Sequence, residues 1–71
     1  SLGITADVEI VIYSIQAIAV ATLFKGVQSP GNYTITWNGR DDNGRLMPAG
    51  DYIAEVRIGQ ERYVRKRIVM K

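Results

Sequence analysis

Apolar and polar positions alternate along most of this chain with a period of two. From Asp7 to Tyr13, Val8, Ile10 and Ile12 fall on one face, and Glu9, Val11 and Tyr13 on the other. The segment is rich in β-branched residues, which suits a pleated, half-buried strand. From Ile10 to Phe24 only Ser14, Gln16 and Thr22 are polar. That run is about five residues short of the roughly 20 a membrane-spanning helix needs, and its Ile/Val content favours strand. The pattern predicts two buried strands at 8–13 and 18–24, joined by a turn over Ser14–Ala17.

Lys25 to Gly31 reads as a loop, punctuated by Ser29-Pro30-Gly31. Tyr33, Ile35 and Trp37 then share one face of a further predicted strand, while Asn32, Thr34 and Thr36 share the other. Asn38-Gly39 and Asn43-Gly44 suit turns with positive φ, and Pro48-Ala49-Gly50 makes a third reversal. After it, Tyr52, Ala54, Val56 and Ile58 alternate with Ile53, Glu55 and Arg57. Gly59-Gln60 turns the chain into a last strand, Arg62 to Met70. There Val64, Ile68 and Met70 share a face that Lys66 interrupts, which calls for a bulge or for an edge position. No segment has the period of a helix. About six short antiparallel strands joined by turns make a small all-β sandwich or partial barrel, one domain over residues 1–71.

Composition narrows the chemistry. The chain contains no Cys and no His, so disulfides, the common zinc sites and Ser–His or Cys–His catalysis are excluded. Asp41 and Asp42 are adjacent, and neighbours on a strand point to opposite faces, so they do not converge on one bond. No catalytic, cofactor-binding or metal-binding residues are expected. Asp41-Asp42-Asn43-Gly44 sketches a calcium loop, but Gly39 stands where such a loop needs a ligand. A solvated turn is the reading. Trp37 could offer a sugar-stacking face, yet its place beside Tyr33 and Ile35 assigns it to the core.

Residues 1–35 carry one Lys against two Asp/Glu, and residues 36–71 carry eight Lys/Arg against five Asp/Glu. The basic excess is Arg62, Arg65, Lys66, Arg67 and Lys71. Such a strand suits phosphates or acidic surfaces, and alternating Arg on an edge strand also blocks aggregation. Nucleic acid is not expected, because only Tyr63 lies nearby to stack and there is no recognition helix. Asn32-Tyr33-Thr34 matches a glycosylation triplet that matters only in a eukaryotic secretory route. No basic segment precedes the first apolar strand, so no signal peptide is expected.

The run TITWNGRDDNGRLMPAGDYIAEV resembles the Ig-like domain of the bacterial flagellar hook-capping protein. That family shows a strand, W-D-G-x-D, x-x-G, then x-x-x-P-x-G-x-Y and a strand. Trp37, Asn38, Gly39, Asp41, Gly44, Pro48, Gly50 and Tyr52 stand at those places. Upstream, IYSIQAIAVATL lies over the family's hairpin I-Y-D-x-x-G-x-x-V-x-x-L, with Ile12, Tyr13, Val20 and Leu23 matching. The likeness covers roughly residues 8–71. A related ending is that of C-terminal sorting domains of type IX secretion, which Gly50, Tyr52, Lys66, Arg67 and the terminal Lys71 fit. The resemblance implies an Ig-like, fibronectin III-like antiparallel β-sandwich whose first strand is short or missing here.

Departures from the family pattern mark where this chain differs. Asn38 replaces Asp, keeping an oxygen for turn capping. Ala17 replaces the hairpin Gly, so that the turn is expected to take another geometry. Ile15 and Ile18 put two large apolar groups near a hairpin tip, where they suit a contact surface. Candidate partner-binding residues are therefore Ile15, Ile18, Arg65, Lys66, Arg67 and Lys71. The resemblance implies a non-catalytic accessory module at the C-terminus of an exported bacterial protein, acting in assembly, sorting or surface anchoring in the periplasm, at the cell surface or outside the cell. Its partner would be a protein: an upstream domain, a secretion or filament component, or itself through strand edges, with oligomers allowed. Neither nucleic acid nor a membrane span is expected. The alternative is a ligand-binding module of a secreted enzyme, taking carbohydrate on Trp37 and the Asp41–Asn43 loop.

Overall fold

The period-two alternation is carried into a regular hydrogen-bonded register. A computed structural model describes residues 5–31, 36–60 and 62–71, with only the backbone at 62 and 63. Its strands are β1 (Ala6–Ser14), β2 (Ala19–Gln28), β3 (Gly50–Ile58) and β4 (Arg62–Met70). They form one antiparallel sheet in the order β2-β1-β3-β4. β1 pairs with β3 from Val8↔Ile58 to Ser14↔Tyr52, and β3 pairs with β4 from Gly50↔Met70 to Ile58↔Arg62 without a break.

This register sorts the two faces of the sheet. Val8, Ile10 and Ile12 lie beside Ile58, Val56 and Ala54, and the apolar face continues through Val64, Ile68 and Met70 on β4. The opposite face carries Glu9, Arg57, Glu55, Arg65, Asp51 and Arg67 in cross-strand positions. Alternation of this kind is what an antiparallel sheet with one wet side requires. Between β1 and β2 the register slips twice, at Ile10/Val11 and at Ile12/Tyr13. Each slip is a bulge that leaves one extra residue on β2, Leu23 and Val20 in turn. Both pack on the apolar face in addition to Ala21 and Phe24.

Among the described residues the buried apolar side chains are Val8, Ile10, Val11, Ile12, Ala21 and Tyr52, and of these only Ile12 is wholly inaccessible. Ile12, Ala21 and Tyr52 form the centre of one cluster, covered by Val20, Leu23, Trp37, Met47, Ala54, Ile68 and Met70. Trp37 and Met47 come from the segment between β2 and β3. Residues 37–47 cross the apolar face and close one end of it.

The structure changes several expectations. Among the described residues there are four strands in one open sheet, where about six in two layers were expected. Most of the strand expected at Tyr33–Trp37 lies outside the described residues, and Thr36, Trp37 and Asn38 are not in a strand. The Asn32-Tyr33-Thr34 triplet also lies outside them. Residues 40–46 make a single isolated bridge, Arg40↔Leu46, and otherwise turns. β2 runs to Gln28, beyond the predicted end at Phe24, so Lys25–Gln28 is strand where a loop was expected; Lys25 and Val27 pair with Glu9 and Asp7. Lys66 sits on an edge strand without a bulge, which is the second of the two ways an inward charge is tolerated.

Candidate functional site

In the turn block from Trp37 to Tyr52, Trp37, Asn38, Arg40, Asp41 and Tyr52 direct polar groups at the block's own backbone. Asn38 Oδ1 accepts the Arg40 N–H at 3.0 Å. Asp41 Oδ1 accepts the N–H groups of Asn43 and Arg45, both at 2.9 Å. Gly44 N–H donates to Asp41 O at 3.0 Å, and the Arg40 guanidinium donates to Gly44 O at 3.0 Å. These side chains fasten a turn, as Asn and Asp commonly do. At the end of the block the Tyr52 hydroxyl donates to Pro48 O at 2.6 Å, four residues back. Trp37 Nε1–H donates to Arg40 O at 2.9 Å, and its ring meets Tyr52 edge-on, centroids 4.9 Å apart.

The block also ties the sheet across its width. Asp42 N–H donates to Val20 O at 3.2 Å, and Asp42 Oδ1 accepts the Thr22 N–H at 3.0 Å. One aspartate therefore occupies part of the free edge of β2. On the other side Gly39, at φ 79°, lies under Met70 of β4. A Cβ on Gly39 would stand 2.9 Å from Met70 Sδ, so the close approach depends on the missing side chain. The link from Asp42 to β2 escaped the sequence reading, which treated Asp41 and Asp42 together as turn residues. A distance of 20 residues separates Asp42 from Thr22, and no local pattern signals it. The four-residue interval from Pro48 to Tyr52 did stand in the motif and is explained by their hydrogen bond.

An open groove of about 640 Å³ lies beside this block, between Trp37, Leu46, Met47, Pro48, Met70 and Lys71. Trp37 is half-buried, so one side of its ring serves the core and another borders the groove. Leu46 is 65% exposed there.

Ile15 and Ile18 flank the tip of the β1–β2 hairpin and are 67% and 63% exposed. The tip is closed by Ser14. Its N–H donates to Ile18 O at 2.9 Å, its carbonyl accepts the Ala17 N–H at 2.9 Å, and its Oγ accepts the Ile18 N–H at 3.2 Å. Ala17 has φ 65°. The expectation that Ala17 would impose another geometry is thus corrected: it adopts the left-handed conformation that a Gly takes without strain.

The basic residues of β4 divide between the two faces. Arg65 Nε lies 3.0 Å from Glu55 Oε2 and Arg67 Nη2 lies 2.9 Å from Asp51 Oδ2. Both pairs cross from β4 to β3 on the wet face, and Arg57 adds Glu55 at 3.5 Å and Glu9 at 3.9 Å. Exposed pairs of this kind contribute about 0.2–1 kcal/mol each. Lys66 is on the other face, opposite Ala54, and Lys71 follows the strand at the rim of the groove. Among the described residues no carboxylate stands within ion-pair distance of Lys66 or Lys71. The hairpin tip and Lys71 lie at the same end of the sheet, on opposite sides of it, while Arg65 and Lys66 are halfway along β4. The candidate residues therefore form two separate surfaces.

Among the described residues no three acidic groups gather where they could hold a metal ion, and no helix is long and apolar enough to cross a membrane. An antiparallel sheet braced by a Trp-centred turn block, its polar groups turned inward, defines a small Ig-like structural module. Residues 3–60 match the family model of the FlgD Ig-like domain, and the chain belongs to that family. The family is a structural, non-catalytic module related to flagellar hook capping and implies interaction with other proteins. The matched residues take in β1, β2, the turn block and β3, and β4 lies outside them. No curated protein and no solved structure matches the chain.

Proposed function

We propose that residues 1–71 form one rigid docking domain of an exported bacterial protein, at the cell surface, in the periplasm or outside the cell, where it works in assembly of the flagellar hook-cap kind. Family membership supports the setting. The observation that carries the docking role is the hairpin tip, where Ile15 and Ile18 keep about two thirds of their surface in water. Two large apolar groups held there by a closed turn cost solubility and suit a partner's surface. The sandwich belongs to this proposal too: the apolar face of the sheet calls for a second layer along its full length.

The test is a double substitution, Ile15→Ser with Ile18→Ser, in the parent protein. Co-assembly with its filament subunits should fall while the melting temperature of the domain holds. Undiminished assembly would refute the docking role of the tip.

A second reading rests on β4. A basic last strand outside the matched residues is what a sorting or anchoring domain of the type IX kind would present. Replacing Lys66, Arg67 and Lys71 by Ser would then block export of a fused reporter; normal export would remove this reading. Carbohydrate binding has less support, since the Asp41 and Asp42 carboxylates already accept backbone N–H groups.

A further inference from the structure

The two edges of the sheet are not equivalent. β2 is bulged twice and carries Asp42 on its outer side, bonded to Val20 and Thr22. Bulges and capping of this sort blunt an edge against pairing. β4 has neither. It runs nine residues, Arg62–Met70, in unbroken register with β3, and no strand among the described residues pairs with its outer side. Alternate N–H and C=O groups along it are thus available to one more strand.

Charge decides what kind of strand fits. A second copy pairing antiparallel through β4, centred on Lys66, would set Lys66 against Lys66 and Arg65 against Arg67 of the copy. Like charges directly opposite are destabilising. The edge of β2 is no better suited: the strand's one ionisable residue is Lys25, and the Asp42 carboxylate at that edge already accepts the Thr22 N–H. Among the described residues, the carboxylates that reach β4, Glu55 and Asp51, are already engaged by Arg65 and Arg67. We infer that the outer edge of β4 receives an extended acidic segment of another protein, added as a fifth strand. Register sets its pattern. On the apolar face an acidic residue stands opposite Lys66, between apolar residues opposite Val64 and Ile68, and on the wet face acidic residues meet Arg65 and Arg67. The inference rests on the docking reading above and gives its partner a chemistry.

A blocked peptide of sequence TVDEDVT satisfies this pattern in the antiparallel direction and serves as the probe. Titrated into the isotope-labelled 71-residue chain, it should shift backbone amides along β4. It should bind at least about tenfold more tightly than TVKKKVT, the swing expected when cross-strand pairs change from opposite to like charge. Methylating alternate backbone nitrogens on the bonding side should abolish binding, and Lys66→Glu should weaken it about tenfold. The exposed Lys66 side chain makes that variant safe for folding, which its amide spectrum checks. Equal binding of acidic and basic peptides, indifference to methylation, shifts confined to the hairpin tip, or no binding would each overturn the inference. Self-association through β4 would do so as well, by making a second copy the occupant. The Ile15→Ser/Ile18→Ser chain should bind the peptide as the parent does, so failure of the tip in assembly and failure at this edge are read separately.

Discussion

Replacing Ala17 by Gly should stabilise this protein, although Ala→Gly ordinarily costs stability by freeing the unfolded chain. Ala17 is held at φ 65° by the hydrogen bonds that close the tip around Ser14. For a residue with a Cβ, the left-handed conformation costs roughly 1–2 kcal/mol. Removing the methyl group relieves that strain and breaks none of the three bonds, all of which use backbone atoms or Ser14 Oγ. Against it stands the extra freedom of Gly in the unfolded chain, about 0.4–1 kcal/mol. The net expectation is a gain of about 0.5–1 kcal/mol. In a domain this small that raises the melting temperature by about 3–6 °C. Trp37 packs on Tyr52 and reports the transition by fluorescence in urea or heat. Ala17→Val supplies the opposite arm, because a β-branched residue is still less tolerant of this φ, and it should lose at least 1 kcal/mol or so. If Gly proved destabilising, or Val neutral, the tip would not hold the left-handed turn and the argument would fail.

Three further substitutions read the turn block. Asp42→Ala removes the acceptor of Thr22 N–H; stability should fall by about 0.5–1.5 kcal/mol, with faster hydrogen exchange at Thr22. Tyr52→Phe deletes the bond to Pro48 O while keeping the ring against Trp37, and a loss of about 1 kcal/mol by urea unfolding is expected. Gly39→Ala combines a left-handed φ with a Cβ 2.9 Å from Met70 Sδ; the cost should exceed about 1 kcal/mol. Adding Met70→Ala should recover the part due to contact, and a strictly additive double variant would show that Met70 is not what crowds Gly39.

How much of this was legible in the sequence follows from how local each interaction is. Period two assigned Val8, Ile10 and Ile12, and Tyr52, Ala54 and Val56, to one face, and the register confirms it. The reversals at Gly39, Gly44 and Gly59 were readable because positive φ has a residue preference, and all three have it. Spacing alone could not show that residues 40–46 form turns and a single bridge. Asn38 and Asp41 satisfy backbone groups there that a strand would have paired, and Asp42 reaches across to Thr22 on β2, so the alternation ends in a strap across the sheet. Non-local facts were beyond reach. The two bulges of β2 are invisible to a simple alternation, yet they bring both Val20 and Leu23 onto the core. The engagement of Arg65 and Arg67 by Glu55 and Asp51 depends on β3–β4 register, so among the described residues the basic side chains without a carboxylate in ion-pair distance are Lys66 and Lys71 at this end of the chain.

That redistribution bears on how a thin module of this kind can be both stable and selective. Its buried core is small, so it depends on the strap that runs from Asp42 on β2 to Gly39 under Met70. The strap spends polar residues of the family motif, Asn38 and Asp41, on its own backbone. At the hairpin tip a strained Ala17 sits beside two exposed Ile side chains, a combination that serves stability poorly. Strain and exposed apolar surface together point to a local requirement other than folding. At β4 the wet-face arginines are drawn toward β3, which holds the strand in register and presents its edge with one lysine inward. An edge so arranged disfavours a second copy by charge while keeping its backbone groups open. It thereby separates two tasks that an uncharged edge would confuse: refusing its own kind, and accepting an acidic strand.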